Sequence, residues 1–132
     1  MHQKLAQIAI VVNDYDEAIA FYCNTLGFHL TEDTKLSDTK RWVVVSPPGN
    51  NGCKLLLAKA ANELQQSRVG NQTGGRVFLF LHTDDFWSDY QRYLDAGVHF
   101  VRPASKEPYG TAGVFEDLYG NLWDLIGPEK IE

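Results

Sequence analysis

The sequence predicts an α+β fold: two βαβββ modules that curl a mixed sheet around a cleft, with the helices outside. Three observations point to it. A short apolar run, a helical pattern and a Leu-Gly-Phe stop occupy residues 11–28, VVNDYDEAIAFYCNTLGF. Nearly the same punctuation returns in FLHTDDFWSDYQRYLDAGV. After each copy come three strand-like pieces divided by turn residues.

The first apolar run, Gln7–Val12 (QIAIVV), is rich in β-branched residues and too short for a helix, so it reads as a strand. Asn13 or Asp14 then offers a capping oxygen to the next helix. Within that helix Tyr15, Ala18, Ile19, Tyr22, Cys23 and Leu26 recur at steps of three and four, which defines one apolar face. Gly27 ends it. Residues 29–32, 41–46 (RWVVVS) and 54–58 (KLLLA) are the strands that follow, the last two divided by the turn Pro47-Pro48-Gly49-Asn50-Asn51-Gly52.

In the second copy 77–81 (VFLFL) is the strand, Asp84-Asp85 the cap, and Phe86, Tyr90, Tyr93 and Leu94 the helix face. Tyr15, Ile19 and Tyr22 recur as Phe86, Tyr90 and Tyr93, each 71 positions later. Residues 99–102, 113–116 and 121–126 (NLWDLI) complete the unit, with Asp117-Leu118-Tyr119-Gly120 as a turn. The chain therefore reads as a single domain, with module 1 over about 4–60, a linker over about 61–75 and module 2 over about 76–128. A unit of roughly 60 residues buries too small a fraction of its surface to be stable alone, which explains why the pattern is written twice.

Composition narrows the function classes. A formal net charge of −5 over 132 residues, with no basic stripe, argues against nucleic acid. No apolar stretch approaches the roughly 18 residues a membrane span needs. The N-terminal MHQKLAQIAIVV has no small-residue cleavage site, so the expected location is the cytoplasm. Cys23 and Cys53 form no CxxC and read as reduced, mostly buried thiols.

The strand, Asp, Ala-Ile-x-Phe-Tyr and Leu-Gly-Phe order of VVNDYDEAIAFYCNTLGF, the weaker TDDFWSDYQRYLDAGV and FEDLYGNLWDL together resemble the vicinal oxygen chelate superfamily. Its members include glyoxalase I, extradiol dioxygenases, methylmalonyl-CoA epimerase, and the fosfomycin and bleomycin resistance proteins. FEDLYGNLWDL is similar to the family's Asp-Pro-x-Gly-Asn turn, with Leu118 in place of proline. The resemblance spans nearly the whole chain and implies the fold; one scaffold serves lyases, isomerases, oxygenases and plain binders alike.

In metal-dependent relatives four strands each aim one ligand, His or Gln, Glu, His and Glu, into the hollow. The resemblance places those positions at Gln7, near Leu56, at Phe78 and at Asp124. Two of them carry no donor atom, so the expectation is a site without a metal cofactor. The alternative is a metal-dependent lyase, isomerase or dioxygenase that recruits unorthodox ligands such as Gln7, His82 and Asp124.

Period-two alternation names the walls of the hollow: Gln7, Ala9 and Val11; Arg76, Phe78, Phe80 and His82; and Leu122, Asp124 and Ile126. Trp42 is a further aromatic wall whose parity no anchor sets. Each residue carries two readings. Phe78, Phe80 and Trp42 are either cleft lining or core. Asp124 is either a candidate base of raised pKa or the partner of Arg76 in a structural ion pair. His82 is either a site residue or the end of a loop. Tyr109, in 106–111, either covers a ligand at the cleft mouth or sits in an ordinary hairpin connection.

The expected function is metal-free binding of a small, partly aromatic or cationic ligand by a glyoxalase/bleomycin-resistance-type protein. The expected assembly is a homodimer, since relatives often build the cleft across chains.

Overall fold

The computed structural model describes residues 1–49 and 52–128, so Asn50 and Asn51 of the expected turn lie outside the described residues. The chain divides into two compact units, Met1–Gly70 and Asn71–Glu132. Unit 1 runs β1 (Gln7–Val12), α1 (Tyr15–Ile19), a π-helical segment (Ala20–Thr25), β2 (His29–Lys35), β3 (Arg41–Ser46), β4 (Lys54–Lys59) and α2 (Glu63–Gln66). Unit 2 runs β5 (Val77–His82), α3 (Phe86–Asp95), β6 (Phe100–Glu107), β7 (Gly110–Glu116) and β8 (Leu122–Gly127). Their four-stranded sheets have the orders β1-β4-β3-β2 and β5-β8-β7-β6. In each, the first and last strands of the unit pair in parallel and the other pairs are antiparallel. The fold is the α+β arrangement of βαβββ modules that the sequence predicts.

Local chemistry explains the first helix, with one departure from expectation. The Asp14 side chain caps α1 by accepting the Glu17 N–H at 2.9 Å. The helix does not continue as an α-helix: it widens, and Leu26 N–H reaches back five residues to the Phe21 carbonyl at 3.0 Å. Tyr15, Ala18, Tyr22 and Leu26 are buried, while Ile19 and Cys23 stay half-buried. Gly27, at φ 82°, turns the chain so that Phe28 N–H bonds the Tyr22 carbonyl at 2.9 Å.

At α3 the expected aspartate is in place, but its side chain does not cap the helix. Asp85 holds the cap position without a side-chain bond. Its own N–H donates to Thr83 Oγ1 at 3.0 Å, and that hydroxyl donates to Asp89 Oδ2 at 2.6 Å. Leu94, expected on the buried face, is exposed. The expected linker contains α2, whose cap is Asn62, accepting the Gln65 N–H at 2.9 Å.

Each sheet has a dry face and a face turned away from its helix. In unit 1 Ile10, Val12, Val43, Val45, Leu55 and Leu57 pack beneath α1 and are almost fully buried. In unit 2 the dry face is aromatic: Tyr93 meets Phe115 edge-on at 5.4 Å, and Phe115 stacks on Trp123 at 5.7 Å. A side chain at Gly127 would point into this layer, with its Cβ 2.5 Å from Phe86 Cβ. Both atoms are set by backbone, so neither can rotate aside. Gly127→Ala is therefore expected to cost about 1–3 kcal/mol of stability, measured by urea denaturation. An unchanged midpoint would mean that α3 does not pack on β8 as described.

Candidate functional site

On the face turned away from α3, four residues stand in register, one per strand: Phe80 on β5, Asp124 on β8, Val114 on β7 and Arg102 on β6. The next row is His82, Ile126, Ala112 and Ser105. Phe80 is 63% exposed, so it is not part of the core. Asp124 lies between Phe80 and the buried Val114. Its Oδ1 is buried and finds no hydrogen-bond partner among the described residues.

That environment sets the acidity of Asp124. Burial pushes its carboxyl above the usual carboxylate range; Arg102 pulls it back, Glu107 pushes it up again and His82 pulls it back. None of the three bonds to it, so their influence acts through space. Arg102 and Glu107 were not legible beforehand, because two register irregularities in β6, around Phe100/Arg102 and Arg102/Ser105, break the alternation that sequence parity relies on.

The structure removes one of the two readings of Asp124 and places Phe78 and Tyr109. Arg76 precedes β5, is exposed, and is not among the groups acting on Asp124. Asp124 stands opposite Phe80, four residues further on, or about 13 Å along an extended strand. The expected Arg76–Asp124 ion pair is therefore not formed. Phe78 sits at an irregularity between Val77 and Leu79 in the pairing with β8, and Phe80 is the residue opposite Asp124. Tyr109 is at the tip of a tight β6–β7 hairpin closed by the Glu107/Gly110 pair, and is 60% exposed.

In unit 1 the corresponding row is Ala9, Leu56, Val44 and Glu32. Gln7 is opposite Lys54. Trp42, whose parity sequence could not settle, lies two residues from Val44 and so shares its face. It lines a cavity of about 520 Å³.

The four positions that the resemblance assigns to a metal do not suit one. Leu56 is set between Ala9 and Val44. Phe78 has no donor, and the neighbour of Gln7 is an ammonium that would repel a cation. Among the described residues, no group of three or more His, Cys, Asp or Glu side chains gathers where it could hold an ion.

The chain matches the Glyoxalase/Bleomycin resistance protein/Dioxygenase superfamily over residues 4–125. It belongs to that superfamily. A protein of Shewanella frigidimarina (strain NCIMB 400), described only as uncharacterized, is 62% identical over 127 residues, covering 96% of this chain and 94% of its own. The crystal structure of UcmS2 is similar at a TM-score of 0.82 and 30% identity, covering 96% of this chain and 98% of its own. That of TnmS3, described as an antibiotic binding protein from Streptomyces sp. CB03234, is similar at a TM-score of 0.77 and 27% identity, covering 97% and 98%.

An aspartate whose native pKa lies above its unfolded value near 3.8 holds its proton more tightly when folded. It favours the native state below that value, and the advantage is lost as pH rises through the native pKa. Asp124→Asn is accordingly expected to raise the melting midpoint at pH 7 and to change it little well below pH 3.8. A lowered midpoint at pH 7 would show that the carboxylate has a native donor.

Proposed function

We propose that this superfamily member binds a small organic molecule, partly aromatic and bearing an N–H or cationic group, without using a metal ion. The observation that carries the reading is the buried Asp124 Oδ1 with no donor among the described residues. An acceptor removed from water and left unpaired costs free energy that an incoming donor recovers. Beside it, the exposed ring of Phe80 offers a surface for an aromatic group. Apolar area for affinity and one aimed polar atom for orientation is the usual economy of a ligand site. The description of TnmS3 as an antibiotic binding protein supports small-molecule binding as the role.

The same reading takes the whole chain as one functional domain working in the cytoplasm as a homodimer. All seven residues of β2, the outer strand of its sheet, are exposed, and such an edge invites pairing. No helix among the described residues is long and apolar enough to cross a membrane. Sedimentation at micromolar concentration is expected to give a dimer; a monomer would remove that part of the proposal.

A thermal-shift comparison tests the binding itself. Planar aromatic cations such as berberine and ethidium are expected to raise the melting midpoint, because a ligand that binds only the native state stabilises it. The rise should vanish in Asp124→Ala and shrink in Phe80→Ala. A rise produced by Ni²⁺, Zn²⁺, Mn²⁺ or Fe²⁺ alone, and lost in Asp124→Ala, would replace binding with metal-dependent lyase, isomerase or dioxygenase chemistry.

A further inference from the structure

We infer that unit 1 carries a ligand subsite of its own, a cavity that receives the oxyanion of an aromatic acid. The inference rests on the small-molecule reading above and adds a chemical group that Asp124 could not accommodate.

The cavity exists because two strands part. The β3–β4 ladder runs only from Val45/Leu55 to Val43/Leu57. Beyond Leu57 no residue of β4 is in register with β3, although β4 continues through Lys59 and β3 begins at Arg41. The space of about 520 Å³ opens at these unpaired ends, with Trp42, Leu56 and Ala58 as its apolar wall and Tyr15, Lys40 and Lys59 among its polar lining. Its volume falls in the range of small-ligand sites, roughly 300–1,000 Å³.

The charge of the lining is one-sided. No Asp or Glu is among the residues that bound this cavity. Arg41 is already committed, bonding Asp33 at 2.7 Å and Asp16 at 2.9 Å. Lys40 and Lys59 have no ion pair among the described residues, so two ammonium groups remain for a guest. Tyr15, only 7% exposed, accepts the Arg41 N–H at 3.2 Å and has no acceptor for its own hydroxyl proton among the described residues. The Gln65 oxygen is occupied by the Ala61 N–H at 2.7 Å. On the adjoining flank the nearby carboxylates are engaged as well: Asp14 caps α1, and Asp38 pairs with Lys35 at 3.5 Å.

Side-chain donors therefore outnumber free acceptors, in a chain whose net charge is −5. A carboxylate or phosphate would meet the two ammonium groups and the tyrosine hydroxyl. A flat ring attached to it would lie along Trp42. A cation would find no carboxylate in the lining of the cavity itself.

Calorimetric titration of the full chain with 2-naphthoate, 2-naphthyl phosphate and 2-naphthylmethylamine tests this. The two acids separate a carboxylate ligand from a phosphate one, and the amine supplies the same ring with the opposite charge. At least one acid is expected to bind and to weaken with added salt. It should shift the Trp42 indole N–H resonance, and its affinity should fall about tenfold or more in Lys40→Gln/Lys59→Gln, roughly the effect of losing a charge-assisted contact. Both lysines are exposed, so the double variant should melt as the parent does. Equal affinity in the lysine double variant, or no binding of either acid, overturns the inference. Binding of the amine alone, lost in Asp124→Asn, overturns it while leaving the Asp124 reading intact.

Discussion

The register of β8 is the constraint on which unit 2 depends, and one carboxylate sets where that strand begins. Asp117 Oδ1 accepts the N–H groups of Tyr119, Gly120 and Asn121 at 3.0–3.1 Å. Its Oδ2 accepts Asn121 Nδ2 at 3.0 Å and Trp123 Nε1 at 3.1 Å. The turn and the first inward ring of β8 are thus held by a single buried side chain. A one-residue slip would exchange the two faces of the strand. Trp123 and Leu125 would leave the aromatic layer, and Asp124 would be driven into it.

Two faces with opposite duties follow from that register. Beneath α3, Tyr93, Phe115 and Trp123 fill the interior, and Gly127 is small because Phe86 lies over it. On the other side the same alternation brings an exposed phenyl ring and a poorly solvated carboxylate together. The first sheet uses the same plan with different chemistry, since Leu56 stands where the second sheet has Asp124, and its polar groups gather where β3 and β4 separate. Duplicated architecture with diverged side chains thus sets different polar groups on equivalent sheet faces.

Much of this was legible in the residues. The spacing of Tyr15, Ile19 and Tyr22 against Phe86, Tyr90 and Tyr93 exposes the repeat, and period-two alternation correctly separates Ile10 and Val12 from Gln7 and Ala9. What escaped did so for physical reasons. Bulges at Phe78 and on either side of Arg102 interrupt the alternation, and so Arg102 and Glu107 went unrecognised as charged groups acting on Asp124. The π-helical widening after Ile19 leaves no mark on an apolar pattern read at steps of three and four. The cavity at Trp42 arises from the early end of a ladder, and nothing in RWVVVS or KLLLA announces where pairing stops.

We propose that this superfamily member holds organic molecules rather than an ion. Elemental analysis of protein purified without a histidine tag addresses it most directly. The account predicts divalent metal far below one ion per chain, unchanged when Asp124 is replaced by Ala. One tightly held ion per chain, lost with that replacement, would contradict it.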